Sequence, residues 1–424
     1  VLIAGWFGTR YGVEHYAEKW IYTDLQPDRA AALLERWMPW FGNPESLRWL
    51  LAESHRKSGD RGRVQRITDT LAAEGVDALR ASAPLMLLEA SAGAPSPVKE
   101  NLGPLLKQYG PHGSEVLAAM VQGYMTQGDT TTASQTLSLW KELYEDDFLL
   151  EFWQGVVATL NYNLETAVPA FQRSIELNPN FPRARQELAE VYIEQAKFEE
   201  AQKEYQWLAE RFPDNFQYIT GYARTLLNLG YPDRAVEQLN QLKDVTKLPS
   251  PELSLVCETN IEAGRFKEAS EQADILLERW PNALPYLQLQ ARCKAKLGEQ
   301  SESEALFAKA ADSQTKRPEV DRMLEKLAVD GGNHQLRMTL GEMMMTYLDP
   351  AGGVGYIQVA SRTVPDDLRG HELLAAYYDR EGKETAAEVH RRAILQIQMA
   401  REERAMLEQS GVDPATLLAP TVQQ

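Results

Sequence analysis

Cysteine is nearly missing from this chain of 424 residues, which holds only Cys257 and Cys293. So few thiols exclude a disulfide framework and a cysteine-built zinc site, and two free thiols are the expected state. Histidine is almost as sparse: His15, His55, His112, His334, His371 and His390. No two of them stand three or four residues apart and there is no His-Glu-x-x-His, so neither a metal nor another cofactor is expected. The phosphate-loop pattern Gly-x-x-x-x-Gly-Lys-Ser/Thr is absent. Gly352-Gly353-Val354-Gly355 is glycine-rich, but it opens a predicted helix, follows no strand and has no Lys-Ser behind it, so close helix packing or a flexible joint is expected there. No carboxylate pair stands out for acid–base chemistry, and no enzymatic activity is expected.

Basic residues are in deficit, 44 against 61 acidic ones, a net charge of −17, and no lysines or arginines cluster. Such a field repels phosphate backbones and anionic lipid surfaces, so no nucleic-acid partner is expected. Long hydrophobic runs are missing as well. A helix needs about 20 apolar residues to cross a bilayer, and the apolar opening from Val1 to Gly8 is too short. Residues 1–10 are read either as the end of a truncated membrane anchor or signal segment, with Trp6 and Phe7 at the interface and the rest of the chain outside the bilayer, or as an ordinary apolar helix packed on the first repeat. Membrane contact is expected only through this terminus.

What the chain has instead is a period of 34 residues. Units start at residues 114, 148, 182, 216, 250 and 284 without an insertion. Position 8 of successive units is Val121, Gly155, Ala189, Ala223, Cys257 and Ala291, and position 20 is Ala133, Ala167, Ala201, Ala235, Ala269 and Ser303. Position 24 is larger: Leu137, Phe171, Tyr205, Leu239, Ala273 and Phe307. Apolar positions three and four apart predict two helices per unit, and the small residues at 8 and 20 let them approach closely. Gly128, Gly230, Gly264 and Gly298 at position 15 suit the left-handed end of a first helix, and Pro179, Pro213 and Pro281 at position 32 stop a second one.

Weaker units extend the array, starting near 11, 45 and 79 on one side and at 334 and 368 on the other. Sixteen extra residues, 318–333, are read as an inserted helix or hinge. The organisation expected is thus 11–113 divergent repeats, 114–317 regular repeats, 334–400 C-terminal repeats, and 401–424 the end of a capping helix with a polar tail. His371 and His390 fall on facing helices of the last unit and are expected to be able to meet. Met344 falls at position 11 of its unit, where core packing is expected.

This pattern, clearest in Phe148 to Asn215, resembles the tetratricopeptide repeat family. The resemblance implies an all-α, right-handed superhelical solenoid of about eleven helix-turn-helix repeats. It further implies that positions 2, 5, 9, 12 and 13 of each first helix line a concave groove that takes a segment of a protein partner. The groove residues so implied are Gln122, Met125, Phe152, Glu190, Ile193, Arg224, Leu227, Asn228, Glu258, Ile261 and Arg292. Glu190, Arg224, Glu258 and Arg292 alternate in sign along position 9, as a ladder that pairs with itself or sets the register of a bound peptide. No unit has the Lys at position 5 and Asn at position 9 of the carboxylate-clamp subfamily. The function expected is a protein-binding scaffold or adaptor. The alternatives are a component of an envelope secretion or polysaccharide-export system, or a non-catalytic part of a larger enzyme.

Overall fold

A computed structural model describes residues 10–409. Among the described residues all regular structure is helical, and no helix is long and apolar enough to cross a membrane. The expected anchor or signal remnant, apart from Arg10, and the polar tail from 410 onward lie outside the described residues.

The period of 34 becomes a series of helical hairpins. The six regular ones begin with Ser114–Gln127, Phe148–Leu160, Pro182–Glu194, Phe216–Asn228, Ser250–Glu262 and Leu284–Leu297. Side-chain caps start several helices: Asp129 accepts from Thr132 N–H, Asp147 from Leu149 N–H and Asn163 from Thr166 N–H. The small-residue columns pack as expected, with Ala133, Ala167, Ala189, Ala201, Ala223, Ala235, Ala269 and Ala291 fully buried. Gly155 shows why one column must stay small, since a Cβ there would lie 2.6 Å from the Phe171 ring. Phe307 departs from its column at 44 % exposed, at the point where the regular repeats stop. Both cysteines are buried and unbridged, and Cys257 Sγ donates to the Ala269 carbonyl at 3.2 Å.

The chain divides into two compact units, Val1–Leu208 and Ala209–Gln424. The boundary lies inside helix Phe198–Arg211 rather than at residues 318–333. The inserted helix, Arg317–Val329, is a packed part of the second unit: Val320 is buried with Leu340 and Leu348, and Met323, Leu324 and Leu327 cover them. Their spacing of three and four residues puts these side chains on one face. Met344 packs against the same cluster. Gly353 sits where a Cβ would meet Met345 N at 2.4 Å and Gly341 O at 2.6 Å, so this glycine serves close packing.

Each unit is tied together by a buried carboxylate. In the first, Glu53 is fully buried. It accepts from Tyr109 Oη at 2.8 Å, Tyr22 Oη at 3.3 Å and Arg56 Nη2 at 2.8 Å. Arg56 also reaches Glu115 at 3.2 Å, and Lys57 donates to Glu115. These residues come from four successive hairpins. A fifth joins where Asn178 Nδ2 donates to the Thr23 carbonyl at 3.1 Å, so this unit curls back on its own beginning. In the second unit Glu381, 2 % exposed, accepts from Ser250 N–H at 2.6 Å and Trp280 Nε1 at 2.8 Å. Those donors lie 131 and 101 residues away in sequence.

Two positions lack the glycine that their turns require. Gly128, Gly230, Gly264 and Gly298 at position 15 have φ of 75–83°, while Tyr162 and Ala196 hold the same place at φ of 56° and 55°. A side chain in that region costs about 1–2 kcal/mol. Tyr162 is 91 % exposed and gives up no packing when removed. Tyr162→Gly and Ala196→Gly should each raise the unfolding free energy measured in urea by about 0.5–1 kcal/mol after the entropy glycine loses on folding. Glu53→Ala strands Arg56 without its closest partner and should cost about 3–5 kcal/mol. Tyr109→Phe, which removes one hydrogen bond, should cost about 1 kcal/mol. The same denaturation series measures both.

Candidate partner-binding cavity

The curl of the first unit forms an open cavity of about 410 Å³. Its walls follow the repeat register. Glu115, Leu149 and Arg183 occupy position 2 of three successive hairpins, Ala118 position 5 and Gln122 position 9. Arg56 and Lys57 are positions 12 and 13 of the hairpin that starts at Glu45. The turn at Leu25 and Pro27 closes the remaining side. Leu25, Leu149, Trp153 and Phe181 supply apolar surface, and Ser91 and Gln122 add neutral polar groups.

The charged side chains of the wall are held in place. Burial alone would raise the Glu115 carboxyl, but Lys57 and Arg56 outweigh it and keep Glu115 below the ordinary carboxylate range. Burial raises the Tyr22 and Tyr109 hydroxyls well above the usual phenol range, and the Glu53 charge adds to it, so both remain donors. The Arg183 guanidinium lies 4.9 Å from the Phe152 ring centroid and 5.8 Å from that of Trp153. Such stacking is worth about 0.5–2 kcal/mol. The result is a fixed, partly apolar concavity bordered by oriented charges, with no nucleophile–base pair among its lining residues.

The residues expected on the groove are dispersed between the two units. Gln122 lines the cavity. Met125 and Ile193 are half-buried, as is Glu190, which accepts a hydrogen bond from the Tyr205 hydroxyl. Phe152 is not a groove residue: it is fully buried, with Phe181 at 5.0 Å, Trp153 at 5.4 Å and Phe171 at 5.9 Å between ring centroids. Position 5 is small or polar in the other regular repeats, and a phenyl ring there turns into apolar cover. In the second unit Arg224 and Leu227 are half-buried, while Asn228, Glu258 and Arg292 are exposed. Ile261 is 7 % exposed and belongs to the core. Arg292 forms its ion pair with Glu262 at 3.0 Å, at position 13 of the preceding hairpin, instead of with a position-9 residue. Exposed pairs of this kind contribute about 0–1 kcal/mol.

Arg56, Lys57, Glu115, Trp153 and Arg183 were not among the expected site residues. The signal was present for four of them, since they occupy positions 2, 12 and 13 of their units. Trp153, at position 6, lies outside the groove positions.

Residues 158–220 match the tetratricopeptide repeat family. A comparison with curated proteins returns no match. Among solved structures, YrrB, described as a TPR protein with an unusual peptide-binding site, is 17 % identical with a TM-score of 0.37, over 42 % of this chain and 91 % of that one. The APC/C hetero-tetramer Cut9-Hcn1 is 13 % identical with a TM-score of 0.45, over 85 % and 68 %. A thermophilic TPR protein of Thermus thermophilus is 20 % identical with a TM-score of 0.27, over 48 % and 91 %. Residues 158–220 thus carry tetratricopeptide repeats, and helical hairpins recur in the same register through the regular array.

Proposed function

We propose that this protein is a non-catalytic interaction scaffold that seats a segment of a protein partner on the inner face of its first unit, with one apolar side chain of that segment in the cavity. The observation that carries this reading is the origin of the cavity wall. Groove positions 2, 5, 9, 12 and 13 of different hairpins converge on one concavity of about 410 Å³, a volume suited to one or two side chains. Trp153 and Phe181 supply the contact area for an apolar anchor, and Gln122 and Arg183 supply polar contacts that fix its direction. Met125, Glu190 and Ile193 continue the inner surface of this unit. Arg224, Leu227, Asn228, Glu258 and Arg292 are read as a separate contact row on the second unit.

Burying one large apolar side chain stabilises a complex by about 1.5–3 kcal/mol, or roughly ten- to hundredfold in affinity. The test pans a phage-displayed library of random peptides on the full chain and measures the selected peptide by fluorescence anisotropy. Ala118→Phe, which fills the cavity, should weaken binding at least about tenfold. Arg292→Glu, on the other unit, should leave it unchanged. Enrichment of no peptide, or equal affinity for the Ala118→Phe chain, would contradict the proposal.

A further inference from the structure

His371 and His390 meet inside the terminal hairpin, between helices Leu368–Arg380 and Glu384–Gln409. Their Nδ1 atoms are 2.9 Å apart and their ring centroids 5.2 Å apart. The two nitrogens lie within hydrogen-bond distance, and such a pair needs one hydrogen between them. The surroundings say which ring supplies it. His371 Nε2 lies 3.0 Å from the Pro365 carbonyl oxygen, which can only accept, so that nitrogen carries a hydrogen. In the neutral ring Nδ1 is then a bare acceptor, and His390 Nδ1 donates to it. His390 is fixed from its other side by Tyr378, stacked at 5.6 Å and 8°. Gln358 Nε2 in turn holds the Tyr378 hydroxyl at 2.7 Å.

Proton counting sets the behaviour of this contact. One added proton is tolerated, because an imidazolium on one ring donates to a bare nitrogen on the other. A second proton places N–H against N–H and two like charges a few ångströms apart, and the bond is lost. Among the described residues neither ring forms an ion pair with a carboxylate, and only burial and His371 act on His390. Glu388 on the same helix as His390 is taken up by Arg391 at 3.1 Å and Arg392 at 3.0 Å. Glu372, beside His371, faces Arg369 at 3.9 Å.

We propose that the His371–His390 pair is a proton-operated latch on the terminal hairpin, closed at neutral pH and released when both rings are charged. Burial, and then the neighbouring His371, lower the His390 pKa, which accords with this. The sign follows from linkage. The folded hairpin takes up its second proton less readily than the unfolded one, so the stabilisation is complete above the ordinary histidine range and is lost as pH falls through the lowered value. Solenoids depend on their end repeats as caps, so the latch makes the strength of the C-terminal cap depend on pH.

Burial also lowers His55 and His112 in the other unit, so global unfolding cannot report on the latch. Hydrogen–deuterium exchange of the full chain, corrected for intrinsic rates and compared at about pH 7.5 and about pH 5, resolves it by segment. The protection of residues 384–400 should fall about tenfold or more, while that of Leu284–Leu297 changes less than about twofold. His390→Gln keeps a donor toward His371 but does not titrate, and should abolish the difference. Unchanged protection in the native chain, or an equal fall in His390→Gln, overturns the proposal. Imidazole nitrogen NMR of the native chain decides independently of the variant. Two separated protonation steps for the pair support the latch, and one common midpoint in the ordinary histidine range contradicts it.

Discussion

A carboxylate removed from water must be surrounded by donors or it costs the fold several kcal/mol. In each unit of this protein that demand is met in part by donors from far along the chain. Glu53 draws on Tyr22, Arg56 and Tyr109, and Glu381 on Ser250 and Trp280. Hairpins that stack only on their neighbours leave the curvature of an array to small local rotations. A buried acid reaching across several hairpins fixes how far each unit curls, because a less curled unit would leave the acid unmet.

The cavity of the first unit is a consequence of that curl. Arg56 and Lys57, which serve Glu53 and Glu115, also form part of its wall, so the groups that close the unit also shape the cavity. Their charges are largely consumed within the protein. The binding proposed at this place would rest on the apolar faces of Leu149, Trp153 and Phe181, with charge setting orientation.

The hairpins were legible in the sequence because their physics is local and periodic. The small residues at positions 8 and 20 and the glycines at 15 repeat at one spacing, and most of them do in the structure what that spacing required. Tyr162 and Ala196 adopt the left-handed turn without glycine, so the register outweighs the local preference of two residues. The meeting of His371 and His390 was readable for the same reason, since both lie in one hairpin. The ties that curl the units were not readable. Tyr22, Glu53, Tyr109 and Glu115 sit at irregular separations, and nothing in any one hairpin announces a partner three hairpins away. Phe152 and Ile261 show the limit of carrying groove positions over by number, because side-chain size and neighbouring rings decide which way a position finally faces.

The claim that a partner enters the first unit is tested most directly by placing a photoreactive benzoylphenylalanine in the full chain and irradiating it with a bound partner peptide. At Gln122, on the cavity wall, the probe should join covalently to the apolar anchor residue of the peptide. At Tyr162, an exposed turn of the same unit, it should not. Crosslinking from Tyr162 with none from Gln122 would place the partner elsewhere and contradict the account.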